Sequence, residues 1–203
     1  MSPAGSIDEV LVEAQRLNFL GPASIVSHRR HAQAFLGALR PAASILDLGT
    51  GGGLPGLVIA EAFPESTVIL LDARERRTDF LRRAVSRLGW NERVLVLTGR
   101  AETLGHDPTW RAMCAAVVAR GFGGPGPTAE CAAPFLAVGG QLVVSEPPPD
   151  SMSVGARWPA APLAELGLEA DDEQPNTSVR SFTQVAPCPR RFARAAARHA
   201  PLF

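Results

Sequence analysis

The sequence has no lysine. All 20 basic residues are arginine, balanced by 20 acids, so the formal net charge is zero. Zero net charge argues against bulk attraction for nucleic acid. Any such contact must come from local clustering, for which arginine's forked donors suit phosphates and base faces. Cysteine is scarce: Cys114, Cys131 and Cys188 are widely spaced and form no CxxC pair. That argues against a disulfide framework or a zinc site and predicts buried or idle thiols. Long apolar runs are also missing, since none approaches the roughly 18 residues of a membrane span. The start, MSPAGSIDEV, lacks a basic stretch followed by an apolar one, which predicts no signal peptide and a cytoplasmic protein.

What is present is enough for one domain with a real core. The chain has 203 residues, 46% of them apolar. SIDEVLVEAQRL predicts a helix, with Ser6 and Glu9 at capping-box spacing and Val10, Leu11, Ala14 and Leu17 on its apolar face. SIVSHRRHAQAFLGAL predicts a second, with Ile25, Ala32, Phe35, Leu36 and Leu39 on one side and Pro41 ending it. From residue 44 to about 146, strands alternate with helices. SILDLG, STVILLDA, RVLVLTG, CAAVVARG and QLVVSEPP read as strands, and LPGLVIAEAF, RERRTDFLRRAVSRLG and PTAECAAPFLAVGG as helices. Such alternation marks βαβ units and a parallel sheet. PLAELG reads as a short helix, VRSFTQVA as a last strand, and SEPPPDSMSVGARWP as a long surface loop.

The chemistry starts at DLGTGGGLPG, Asp47 to Gly56. Gly51, Gly53 and Gly56 satisfy G-x-G-x-x-G, and Asp72 follows at the end of the next strand, where an acid can accept from ribose hydroxyls. A dinucleotide therefore fits the spacing. The same loop also reads D-x-G-x-G-x-G, as Asp47, Gly49, Gly51 and Gly53. An acid ahead of the first glycine serves a pyrophosphate poorly but suits a cationic amino group, such as that of S-adenosylmethionine. A nucleoside-type ligand is common to both readings.

Charge is unevenly spread. Gln174 to Phe203 holds five arginines and no acid, whereas Glu165, Glu169, Asp171, Asp172 and Glu173 cluster just before it. The asymmetry permits a basic contact face on the tail. His28 and His31 lie three residues apart on a predicted helix, but no third ligand is evident, so no metal is expected. Trp90, Trp110 and Trp158 are too scattered to predict a stacking platform.

With LLDARERRTDFL, GRAE at Gly99–Glu102 and ARG at Ala119–Gly121 added to the loop, the chain resembles the RsmG family. These bacterial enzymes methylate N7 of a guanine in small-subunit ribosomal RNA. The LPG tail of the loop, and Asp72, Arg77, Phe80 and Leu81 after it, match the family pattern. The resemblance implies an α/β fold, a Rossmann-like class I S-adenosylmethionine-dependent methyltransferase. Its sheet would have seven strands, mostly parallel, with helices on both faces and an N-terminal helical extension. It implies a single domain: N-terminal helices over 1–40, a cofactor-binding core over 44–146 and a substrate-side segment over 147–203. It places Asp47, Gly49, Gly51, Gly53, Leu54, Asp72, Ala101, Glu102 and Arg120 at the cofactor. Arg77, Arg190, Arg191, Arg194 and Arg198 become the expected contacts to 16S rRNA or the small ribosomal subunit.

Two departures stand out. The family usually has a lysine–glycine pair after the fifth strand, where this chain has SEPPP, and its tail keeps Pro189, Arg190, Arg191, Pro201 and Leu202 but loses an inner glycine and proline. A methyltransferase acting on a small molecule, or a cofactor-binding module without activity, therefore stays open beside the rRNA reading. An NAD oxidoreductase would need a hydride-transfer acid and a second substrate domain, and neither is evident. Guanine N7 carries a lone pair at neutral pH, so no catalytic acid or base is assigned. A membrane partner is not expected, and a monomer is the default.

Overall fold

The computed structural model describes residues 5–147, 157–172, 178–194 and 200–203. Helix α1 (Ile7–Arg16) begins at its capping box: the Glu9 amide donates to Ser6 Oγ at 3.3 Å and the Ser6 amide to Glu9 Oε2 at 3.1 Å. Val10, Leu11 and Ala14 are buried, together with Ile7, whereas Leu17 lies past the helix end and is exposed. Helix α2 (Ile25–Ala38) buries His28, Ala32 and Phe35, and Leu39 continues that stripe. His28 thus lies on the core face of its helix, whereas His31 is exposed.

Five parallel strands follow: β1 (Ser44–Leu48), β2 (Thr67–Asp72), β3 (Val94–Thr98), β4 (Cys114–Ala119) and β5 (Leu136–Ser145). β7 (Val179–Gln184) pairs antiparallel with β5, and the short β6 (Leu168–Ala170) closes the edge. The seven-stranded order is β3-β2-β1-β4-β5-β7-β6. Helices α3 (Gly56–Ala62) and α4 (Glu75–Arg87) join α1 and α2 on one face. Helices α5 (Ala101–Leu104), α6 (Pro125–Ala132) and α7 (Ala160–Glu165) cover the other. Strand alternation sorts the core between them: Ile45, Leu70 and Val118 face the first layer, and Leu46, Leu71 and Val117 the second. On α4, Phe80, Leu81, Ala84, Val85 and Leu88 are all buried, and Gly89 ends the helix at φ +71°.

The structure corrects two expectations and adds two short elements. PTAECAAPFLAVGG is not one helix: α6 stops at Ala132, a 3-10 turn runs over Ala133–Phe135, and Leu136–Gly140 already belongs to β5. Pro134 has no amide to continue the helix, and the β4–β5 register shifts between Cys114 and Ala116 to absorb the extra residues. α5 and β6 are too short to leave a period in the sequence. Finally, the basic tail is tied down. Arg111 spans four carbonyls, reaching Gly105 and Phe192 through Nη1 at 2.6 and 2.9 Å, and Cys188 and Pro189 through Nη2 at 2.7 and 2.9 Å. Residues 148–156 of the expected surface loop lie outside the described residues.

Packing at the start of α3 generates a test. A Cβ on Gly56 would collide with Leu70 Cδ2 and lie 2.6 Å from Asp47 Oδ2, whereas one on Gly37, in α2, meets nothing within 4 Å. Gly56→Ala is expected to lower stability by about 1–3 kcal/mol, as overpacking does. Gly37→Ala is expected to raise it, by up to about 1 kcal/mol. Urea denaturation of the two variants checks the opposite signs.

Candidate functional site

The strand order reverses between β1 and β4, so a crevice opens at their carboxyl ends, where ligands of such sheets bind. The glycine loop crosses this crevice. Gly49 sits at φ +71°, and a Cβ there would lie 2.5 Å from Phe122 Cδ2. Glycine is required on both counts.

Asp47 organises the loop from below. It is 1% exposed, and its Oδ2 accepts from Thr50 Oγ1 at 2.7 Å and from the Gly56 amide at 2.8 Å. Oδ1 is buried without a hydrogen-bond partner. Burial pushes the carboxyl up to about 6, against the lowering effect of Thr50, Gly56 and the Arg120 charge. Arg120 answers from the end of β4. Its Nη2 donates to His28 Nδ1 at 3.0 Å, and its Nη1 is buried without a partner. Because a guanidinium cannot accept, His28 Nδ1 must be the acceptor. His28 Nε2 then carries the hydrogen and donates to the Gly21 carbonyl at 3.0 Å. Burial lowers the Arg120 pKa, and the Asp47 charge opposes that.

Asp72, at the end of β2, is the second anchor. Its Oδ2 accepts from the Gly51 amide at 3.0 Å and from Arg77 Nη1 at 3.2 Å, and its Oδ1 accepts from the Arg74 amide at 2.9 Å. A cavity of about 260 Å³ opens beside it, lined by Gly49, Asp72, Gly99, Ala101, Glu102 and Phe122 among others. Glu102 Oε1 accepts from Arg100 at 2.7 Å. Of the expected cofactor residues, Gly49, Asp72, Ala101 and Glu102 line this cavity. Asp47, Gly51, Gly53, Leu54 and Arg120 do not. Gly51 holds Asp72, Gly53 packs against Leu57 and Leu81, and Leu54 is a core residue. Phe122 and Gly99 were missed, though Gly99 opens the GRAE stretch and Phe122 lies two residues past Arg120.

The expected RNA contacts fare differently. Arg77 is turned to Asp72 and lies 6.0 Å from the Phe19 ring centroid. Arg191 pairs with Glu165 at 3.2 Å, and Arg194 grips Glu130 with two bonds of 2.9 and 2.7 Å. Arg190 is exposed, and Arg198 lies outside the described residues. A larger cavity of about 510 Å³ lies away from the loop, but its charges are spent: Arg29 pairs with both Asp8 and Glu61. Among the described residues, no three His, Cys, Asp or Glu side chains gather to hold a metal, and no helix is long and apolar enough to cross a membrane. Burial pushes the Cys114 and Cys131 thiols up to about 12 and Cys188 up to about 11, so none is a ready nucleophile.

The raised pKa of Asp47 sets a pH dependence. The folded state holds this proton more tightly than the unfolded chain does. The resulting stability is complete below the usual 3.8 and is lost as pH rises through about 6. Asp47→Asn keeps an acceptor for Gly56 and cannot ionise. The stability of the parent protein minus that of Asp47→Asn is expected to rise by about 2 kcal/mol as pH falls from about 7 to about 4. Denaturant titrations at a series of pH values check this, and a flat difference contradicts it.

The chain is similar to known proteins in sequence and in fold. The profile of the GidB family, rRNA small subunit methyltransferase G, matches residues 23–146. The ribosomal RNA small subunit methyltransferase G of Moorella thermoacetica is 36% identical over 108 residues, which cover 53% of this chain and 45% of that protein. The protein of the same name from Parasynechococcus marenigrum is 35% identical over 165 residues, covering 74% and 63%. The chain spans about half the length of the curated relatives it matches. Among solved structures, the O-methyltransferase from Bacillus cereus in complex with SAH superposes with a TM-score of 0.62 at 19% identity, over 87% of this chain and 90% of that one. A methyltransferase from Geobacter sulfurreducens gives 0.60 at 14% identity, over 88% and 89%. These neighbours share the Rossmann-like methyltransferase fold. The family profile covers more than half of the residues, and the chain belongs to the GidB (RsmG) family of small-subunit rRNA methyltransferases.

Proposed function

We propose that the chain is an S-adenosylmethionine-dependent methyltransferase acting on N7 of a guanine in small-subunit ribosomal RNA. One observation carries the reading: a buried carboxylate and a half-buried guanidinium at the crevice each keep a buried, unused atom, Asp47 Oδ1 and Arg120 Nη1. Buried charges are costly unless partnered. The ammonium and carboxylate of an amino-acid group offset both, whereas a pyrophosphate would meet the Asp47 carboxylate. The adjoining cavity suits the nucleoside half. A carboxylate offers about four acceptor positions, and Asp72 uses three on the protein. A ribose hydroxyl can take the rest, with Ala101 and Glu102 at the adenine. Family membership and the SAH-bound neighbour support the same cofactor.

S-adenosylmethionine supplies an electrophilic methyl group when bound. No residue has to remove a proton from N7, so the chain's task is orientation and exclusion of water. Phe122 lines both the cofactor-side cavity and a second one next to it, which sets where an acceptor base can approach. Orientation of this kind contributes about 7–11 kcal/mol. RNA phosphates are met by Arg74, Arg76 and Arg190, which are exposed and carry no ion pair among the described residues. Arg74 and Arg76 flank the start of α4, next to Asp72.

Transfer of labelled methyl to small subunits that lack the modification tests the reading, with the product mapped by mass spectrometry. Product at one N7 guanine is expected, lost in Asp72→Ala and Arg120→Ala. Intact cofactor binding without methylated RNA overturns it. Replacing Arg74 and Arg76 by alanine is expected to weaken RNA binding and flatten its salt dependence by about one unit of slope per arginine. An unchanged slope contradicts their role.

A further inference from the structure

The second cavity has a volume of about 330 Å³ and sits past the ends of β4 and β5. It is lined by Gly121, Phe122, Ser145, Glu146, Pro147 and Trp158 among others. Its walls are mostly apolar, and the two charged side chains on them are Glu146 and Arg157. The Glu146 side chain is only 6% exposed. Its Oε1 accepts from the Trp158 indole at 2.8 Å. Its Oε2 is buried with no hydrogen-bond partner. The Arg157 guanidinium lies 3.7 Å from Oε2, near enough to offset charge and too far to donate. Trp158 cannot swing away easily, because its ring packs on Phe182 at 4.7 Å and on Phe203 at 6.0 Å. The carboxylate is therefore held in one orientation with acceptor capacity to spare, since Oε1 can take a second donor.

A buried carboxylate beside a cavity with Phe122 and Trp158 on its walls suits two adjacent N–H donors on a planar ring. Guanine presents that pattern on its Watson–Crick edge, at N1–H and the 2-amino group. Adenine and cytosine each place a ring-nitrogen acceptor there and would face the carboxylate with like polarity. Enzymes that take a base out of its stack read it through this edge while the rest of the ring is gripped by apolar walls. Holding guanine by N1–H and the 2-amino group leaves N7, on the far side of the purine, free. Phe122 and Gly123 line both cavities, so that free edge borders the cofactor side.

We propose that Glu146 is the specificity-determining residue for the acceptor base, accepting hydrogen bonds from N1–H and the 2-amino group of guanine in the cavity that Phe122 and Trp158 line. This rests on the guanine-N7 reading of the function, and it adds how guanine is told from the other bases. A good bidentate contact of this kind discriminates by about 1–3 kcal/mol, or roughly 5- to 150-fold.

The test uses isotope-labelled protein saturated with S-adenosylhomocysteine and follows the Trp158 indole N–H by NMR, assigned by its loss in Trp158→Phe. The probes are GMP, IMP and AMP. They share ribose and phosphate, and IMP differs from GMP by lacking the 2-amino group. GMP is expected to shift the signal, IMP to bind at least about tenfold more weakly, and AMP to leave it unmoved. In Glu146→Gln the preference for GMP over IMP is expected to vanish. Equal responses to all three nucleotides, no response to any, or a preference that survives Glu146→Gln overturns the proposal. The wild-type comparison of GMP with IMP stands even if that variant fails to fold. Methyl transfer to small subunits separates the two readings. No transfer by the wild type sinks the rRNA assignment and leaves the nucleotide result to judge Glu146. Equal transfer by wild type and Glu146→Gln sinks the role of Glu146 alone.

Discussion

A carboxylate out of reach of water, held by Thr50 Oγ1 and the Gly56 amide, is the interaction on which the site depends. Hydrogen bonds to a charged group contribute about 1.5–3 kcal/mol each, and here they act against the cost of burying Asp47. Their geometric effect is larger than their energetic one. They bind the end of β1 to the first turn of α3, so the loop between them must fold back over the sheet edge. That turn carries the Gly51 amide to Asp72 and so couples the loop to β2. The absence of a side chain on Gly56 is part of the same contact, because Asp47 and Leu70 occupy the space a Cβ would need.

A chain with arginine as its sole strong cation uses that side chain as a connector. Arg111 draws four carbonyls from two segments together. Arg194 and the Leu202 amide converge on Glu130, which fixes the last residues against α6. A guanidinium suits this work because its donors are spread in a rigid plane. The consequence for function is a shift of the free positive charge. The tail, rich in arginine, spends much of it internally, and the exposed arginines at the start of α4 stand beside the cavity at Asp72 instead.

The crevice divides into two chambers on either side of Phe122. On one side are backbone turns and carboxylates suited to a nucleoside. On the other is a wall of Pro147 and Trp158 around the buried Glu146. The Phe122 ring occupies the space a side chain on Gly49 would need, so the partition is built from the loop after β1 and the loop after β4 together. Strand order makes the two loops neighbours, since β1 and β4 pair directly at the reversal point.

Much of the fold was legible along the chain. The apolar stripe Phe80, Leu81, Ala84, Val85 and Leu88 gave α4, and the unbroken run of TVILLD gave a strand buried on both faces, because helical and extended backbones repeat with fixed periods. The loop DLGTGGGLPG identified a crevice at the end of β1, and Asp72 and Glu102 fell on its wall. Other features have no local signature. His28 is one histidine among four in the sequence, and its contact with Arg120 spans 92 positions. The inward turn of Arg77 and the capture of Arg194 by Glu130 depend on which acid the fold brings near. Glu146 and Trp158 meet through the return of the chain past β5. Sequence by itself determined most of the longer elements and the order in which they alternate, since these depend on neighbours within a few residues. Tertiary structure decided which charges were consumed in holding the protein together and which remained for a ligand, because ion pairing is settled by distance in space.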